Sequence, residues 1–490
     1  MQQVQHHRAR VGLFGAGLAA YWPQFPGLHE RLVNYLNYIE AKLRQWGEVT
    51  NAGLLDTAPG AQQAGDLFCR ENVDLIVCYT ATYATSSQVL PAVQRRNVPV
   101  VVLNLQPSAA LDYPNTDTGE WLANCSACCV PEISCAFARA NISFNVVSGM
   151  LFDDTLPSPQ SPANRDDARG AHGAGVKAWQ ELQDWVEAAG VMRRLNYGRC
   201  GFLGHTYPGM LDMYSDFTML HAQLGMHTEV LEMDDVKKRV DAVSDGEIQQ
   251  KIEETRNIFE IDKSVAPEEL HWAAKVAVGL DKLVADFDLD ALAYYYRGLD
   301  DNEFERLGAA LILGNSLLTA RGIPCSGEGD SKNAMAMLIM NAINAGGSFT
   351  EFYAMDFNEN FILMGHDGPG HIAISDRKPI LRGLGLYHGK RGHGVSVEFN
   401  VKTGPVTILG MTQTAAGRLK MIAAQGESVP GPVLKIGNTN SRLKFALGPA
   451  EFMTKWCEHG PTHHCALGVG HVVHKIEKLA RLLKMELPVL

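Results

Sequence analysis

The chain has 490 residues, enough for two to four domains of about 100 to 200 residues each, which excludes a small stapled module. Hydrophobic residues at 46% and charged residues at 20% exclude a disordered or fibrous chain. Lys plus Arg at 43 against Asp plus Glu at 54 leaves a net charge of -11, which opposes phosphate attraction and argues against a nucleic-acid partner.

Met1 to Arg10 is polar and carries no apolar signal core, and the longest apolar runs, such as Val98 to Leu103, are far shorter than the roughly 20 residues of a membrane span. A cytoplasmic protein with no membrane partner is expected. Short apolar runs then alternate with amphipathic stretches over 10–14, 28–46, 48–55, 62–71, 73–79, 86–96 and 98–105, the pattern of a parallel α/β sheet. Gly15-Ala16-Gly17-Leu18-Ala19-Ala20 after the first strand resembles a dinucleotide fingerprint. Tyr21-Trp22-Pro23 does not continue it as a helix, so no dinucleotide cofactor is assigned.

The ten cysteines lack a regular framework and read as reduced thiols. Cys125-x-x-Cys128-Cys129 with Cys135 has one zinc-like pair and no second, and reads as a cysteine-rich helix start. Leu156 to Gly175 has linker composition, and 176–195 reads as a helix. A second α/β lobe starts at Arg199–Gly204, continues through Thr228–Leu231 and resumes at Leu289–Tyr296 and Leu311–Ala320. After about 345 come Gly-punctuated β segments at 349–357, 361–365, 395–401, 406–413, 418–424 and 433–437, implying a largely antiparallel domain closed by an amphipathic helix over 471–484. The expected fold is α/β: two Rossmann-like parallel-sheet lobes, 1–170 and 171–330, followed by a mostly antiparallel, β-barrel-like C-terminal domain, 331–490.

The strongest chemical constellation is Gly327-Glu328-Gly329-Asp330 opening a helix over 331–345, then Glu351 in an extended run, His366, and His463-His464. Glycines around Glu328 expose its carboxylate at a strand-to-helix turn on the carboxyl edge of the sheet. Alternation along the next strand puts Phe349, Glu351, Tyr353, Met355 and Phe357 on one face, where a carboxylate must be protonated, paired or metal-bound. A hairpin pairing Phe357 with Asn360 also sets Glu351 opposite His366. A one-residue slip would separate the two faces. Two Glu and two His suit Mn²⁺ or a related divalent ion with open positions for substrate hydroxyls. Separate ion pairs and core histidines are the alternative reading of the same residues.

Together these motifs, with Ser348-Phe349-x-Glu351, Gly365-His366, Phe399-Asn400-x-x-Thr403-Gly404-Pro405 and Gly460-x-x-His463-His464, resemble the L-arabinose isomerase and L-fucose isomerase superfamily, closer to the arabinose isomerase branch. The resemblance is clearest over 326–490. It implies aldose–ketose isomerisation at a Mn²⁺ site. Glu328 and Glu351 would be metal-binding acid/base carboxylates, His366 and His464 metal ligands, and His463 a substrate group. Tyr207 and Tyr21, in regions that face substrate in the family, are further substrate-binding candidates. It also implies a homo-oligomer whose active site lies at a subunit interface. Where the arabinose enzymes carry a Ser-Gln-His-Leu-Tyr stretch, this chain has Gly15–Trp22, so a pentose, hexose or deoxysugar other than L-arabinose is in view. The alternatives are a metal-dependent lyase, epimerase or hydrolase on a sugar derivative, and a non-catalytic sugar-binding protein.

Overall fold

The computed structural model describes residues 8–153, 168–297, 302–384, 386–387, 390–391 and 394–490. Most of the linker-like stretch 156–175 falls outside them. The described residues form two compact units, one ending at Arg193 and one running from Arg194 to Leu490.

The N-terminal unit is a five-stranded, all-parallel sheet with strands in the order Glu48–Leu55, Arg10–Ala16, Leu75–Thr80, Val100–Gln106, Phe144–Met150. Its central strand, Leu75–Thr80, is buried along its whole length, as a strand covered by helices on both faces must be. The Gly15–Ala20 stretch does not open a helix; a single 3-10 turn, Ala19–Tyr21, follows, and the first long helix begins only at Leu28. Cys125 and Cys128 form a disulfide, which corrects the reading of all ten cysteines as thiols. Three residues of chain at a helix start bring their Cα atoms to 6.0 Å, within disulfide span.

The C-terminal unit begins with a parallel four-stranded sheet, ordered Cys325–Ser326, Ala291–Tyr295, Arg199–Gly204, His227–Leu231. The apolar run Leu311–Ala320 is a helix buried almost all round. Six strands then close an antiparallel barrel: Gly346–Asp356, Phe361–His366, Thr439–Phe445, Leu419–Val429, Gly404–Gln413 and His464–Val469, in that order. This is the expected α/β architecture with a C-terminal barrel. Within it, Val433–Gly437 is not a strand. Pro430 and Pro432 cannot donate to a ladder and Gly437 has φ +80°, so pairing resumes only at Thr439. Several elements had no sequence expectation, among them the barrel strands Thr439–Phe445 and His464–Val469 and the helices Pro267–Phe287 and Pro449–Glu458.

The hairpin corrects the expected register. Asp356 pairs with Phe361 as anticipated, but a bulge between Phe352 and Ala354 shifts the ladder, so Glu351 lies opposite Gly365 and not His366. The extra residue also breaks the proposed aromatic row: Phe349 is fully buried, whereas Met355 and Phe357 are exposed. On its other edge the same strand pairs Glu351 directly with His464.

Candidate active site

Three chain segments of the C-terminal unit build one cluster. The first is the turn at Glu328, which has φ 59° and ψ 10°, a left-handed conformation that costs a non-glycine residue about 1–2 kcal/mol. The flanking glycines make the turn fit. A Cβ on Gly327 would lie 2.8 Å from the Phe349 ring, and one on Gly329, at φ +74°, would lie 2.6 Å from the His205 carbonyl oxygen. The second segment is the end of the strand Phe361–His366, and the third is the start of His464–Val469.

The buried Phe349 ring is the floor, with centroids 4.1 Å from His366 and 4.4 Å from His464. Above it, Glu328 Oε1 lies 3.9 Å from His366 Nε2, and Glu328 Oε2 lies 3.6 Å from both His464 Nε2 and His463 Nε2. Burial disfavours the Glu328 carboxylate, but His463, His464 and His366 outweigh it and hold its pKa below the ordinary value. His366 is opposed by burial too, yet Asp367, Glu351 and Glu328 raise its pKa. His464, fully buried, has a lowered pKa because burial and the neighbouring histidines prevail over Asp330. For His463, burial is outweighed by Glu328 and Asp212, which push its pKa up to about 9.

The ligand atoms fall into two overlapping triads that share His464: Glu328, His366 and His464, and Glu351, His463 and His464, each within 4.8 Å of one another. Two buried atoms test whether a cation fits. Asp330 Oδ2 lies 3.0 Å from His464 Nδ1, which fixes the ring and leaves Nε2 facing the site. That Nε2 and Glu328 Oε2 are both buried without a hydrogen-bond partner, although they face each other. Two unsatisfied acceptors at one point are costly unless a cation sits between them, and an imidazole nitrogen with carboxylate oxygens is a donor set for a divalent first-row ion.

Of the residues singled out from sequence, Glu328, Glu351, His366, His463 and His464 meet here. Tyr207 borders them: its backbone N–H donates to the Glu328 carbonyl at 2.9 Å, and its ring lies 4.8 Å from that of Tyr295. Tyr21 belongs to the N-terminal unit, where its ring packs edge-on against Phe25. Sequence reasoning quoted Asp330 in its motif without giving it a role, and missed Asp212, Asp367 and Lys332. Asp330 carried a signal, because an Asp before a helix invites the cap it makes to the Asn333 N–H. Asp212 carried none, being 251 positions from the histidine it holds.

Comparison with known proteins places the C-terminal part of the chain in one family. Residues 215–346 match the L-arabinose isomerase central domain and residues 346–486 the L-arabinose isomerase C-terminal domain, together more than half of the chain. The chain belongs to the L-arabinose isomerase family. It is therefore an isomerase. A sulfoquinovose isomerase of Priestia aryabhattai is 24% identical over 63% of this chain and 68% of its own length. Another from Alkalicoccus urumqiensis is 22% identical over 84% and 85%. An L-arabinose isomerase of Klebsiella pneumoniae (strain 342) is 20% identical over 85% and 80%. No helix among the described residues is long and apolar enough to cross a membrane.

Proposed function

We propose that this protein is a divalent-metal-dependent isomerase that interconverts an aldose and a ketose through an enediol. The observation that carries the reading is the buried pair of unpartnered atoms, Glu328 Oε2 and His464 Nε2, set among two carboxylates and three imidazoles. Glu328, Glu351, His366 and His464 would hold Mn²⁺ or another divalent ion. Bound there, the ion would polarise adjacent sugar oxygens and stabilise the charge that develops on them.

The protein's own groups supply the proton transfers. One carboxylate of the Glu328 and Glu351 pair takes the proton from C2 of the aldose while O1 gains a proton, which gives the enediol. Return of a proton to C1 and loss of the O2 proton complete the ketose, with no net change in atoms or electrons. The low pKa of Glu328 suits a base that is ionised at neutral pH. Phe349 closes the floor, and Tyr207, Tyr295 and His463 supply an aromatic and polar border for the sugar. In the family the active site is completed by a neighbouring subunit, and a homo-oligomer is part of this proposal, as is a cytoplasmic location.

The test is turnover of Mn²⁺-loaded protein in D₂O with a panel that includes sulfoquinovose, L-arabinose and other pentoses, hexoses and deoxysugars. Ketose carrying deuterium on C1 is expected, and Glu328→Gln and Glu351→Gln should each slow it by at least about a hundredfold. Product free of deuterium would remove the carboxylates as proton carriers. A loaded protein that converts no sugar would overturn the reading.

A further inference from the structure

Asp212 stands in the loop between the first strand of the parallel sheet and its following helix, within the one-turn segment Leu211–Met213. A single oxygen, Oδ2, receives two contacts from one residue: the His463 backbone N–H at 3.0 Å and His463 Nδ1 at 2.7 Å. Gripping a residue by both its backbone and its ring leaves the side chain one orientation, and in that orientation Nε2 faces Glu328 Oε2 at 3.6 Å. Asp212 itself is in neither of the two ligand triads.

The loop is held from within. Lys332, 1% exposed, donates from Nζ to the carbonyls of Met213 and Tyr214, both at 3.1 Å, and to Ser215 Oγ at 3.0 Å. It sits two residues after Asp330, the carboxylate on His464 Nδ1. Each of the adjacent histidines therefore has its own carboxylate at Nδ1, one from the helix start and one from a loop tied to that helix. A loop with no task at the site would have no use for three donated hydrogen bonds from a buried lysine, since burying that ammonium is itself costly.

We infer that Asp212 is a positioning residue of the isomerase site, acting on Glu328 through the fixed ring of His463. This rests on the isomerase reading above. If it holds, Asp212 and His463 form one unit, and removing either removes the same effect.

The experiment is a double-mutant cycle of Asp212→Ala, His463→Ala and the pair, in the Mn²⁺-loaded protein with the sugar that the panel identifies. Asp212→Ala should lower kcat by about ten- to a hundredfold, the range seen for outer-shell partners, while thermal melting stays within a few degrees of wild type. The double variant should be no slower than His463→Ala within about twofold. In ¹⁵N-histidine spectra the hydrogen-bonded Nδ1–H signal of His463 should vanish in Asp212→Ala and return in Asp212→Glu. Losses that multiply in the double variant, or a His463 signal that Asp212→Ala leaves in place, would overturn the role while leaving the isomerase intact. A wild-type protein inert toward every sugar would overturn the isomerase reading and this role with it.

Discussion

Asp330 divides two tasks between its two oxygens. Oδ1 caps the helix Ser331–Ala342 at the Asn333 N–H, 3.0 Å away, and Oδ2 holds His464 Nδ1. Asp330→Asn keeps an oxygen for the cap and exchanges the carboxylate on the imidazole for a weaker partner. We expect a fold that survives and a Mn²⁺ affinity lowered by about ten- to a hundredfold in calorimetric titration; unchanged affinity would show that His464 is not a ligand. Glu328, His366 and His464 were legible in the sequence because each lies in a short motif whose glycines or doubled histidines stand out. The partner of Glu351 was not. Strand alternation specifies a register only while the ladder is regular: the bulge at Tyr353 moves Glu351 from His366 to Gly365, and its pairing with His464 comes from a strand on the opposite edge that the sequence did not announce.

At the scale of elements, the turn Gly327–Gly329 carries the site and the turn Ile372–Ile374 follows the strand that ends in His366, and each makes a measurable prediction. Gly329→Ala would push a Cβ to 2.6 Å from the His205 carbonyl oxygen and 2.8 Å from Thr206 Cα, backbone atoms that cannot swing aside, in a left-handed conformation. A loss of about 1–3 kcal/mol in denaturant unfolding is expected, together with reduced turnover as Glu328 shifts. His371 caps the 3-10 turn Ile372–Ile374, and its N–H donates to Ser348 Oγ at 3.1 Å, but neither ring nitrogen meets a partner among the described residues. Burial, reinforced by Lys402, lowers its pKa to about 4. The unfolded chain therefore takes up a proton near the ordinary histidine value while the folded chain refuses it. Stability is complete above about pH 6.5 and falls as pH drops toward 4, by up to about 3 kcal/mol. His371→Leu should lose less melting temperature than wild type between pH 7 and pH 5. An identical loss would assign the acid sensitivity to other groups. Four strands of the N-terminal sheet were readable within a few residues because each is a short apolar run, but Phe144–Met150 was not, since Asn145, Ser148 and Gly149 interrupt its apolar residues. Val433–Gly437 misled because its apolar residues suggest a strand, whereas the prolines and glycines around them decide the backbone.

At the scale of the whole molecule, the two units each have their own core. The core of the N-terminal unit includes a cluster around Phe14, Phe68 and Phe137. In the C-terminal unit the helix Leu311–Ala320 joins two clusters. Ile312, Leu313 and Leu317 pack in the one that contains the barrel residues Ile362, Met364, Ile408 and Ile422, while Leu311 and Leu318 pack in the one that contains Leu203, Leu231 and Leu292 of the parallel sheet. Its polar residues Asn315, Ser316 and Thr319 are buried too, with the Ser316 and Thr319 hydroxyls donating back to the Ile312 and Asn315 carbonyls, so no face of the helix is left for solvent, as suits a helix between two layers. The Glu328 turn comes from the sheet side and His366 and His464 from the barrel, so the geometry of the cluster depends on the two layers holding together. Leu313→Ala removes a fully buried side chain from that junction and should cost about 2–5 kcal/mol. Because the helix serves both layers, hydrogen exchange should quicken together in the sheet strand Ala291–Tyr295 and the barrel strand Gly404–Gln413, and Mn²⁺ affinity should fall with them. Faster exchange confined to the barrel would mean that sheet and barrel open independently, leaving the Glu328 turn and the two histidines without a common support.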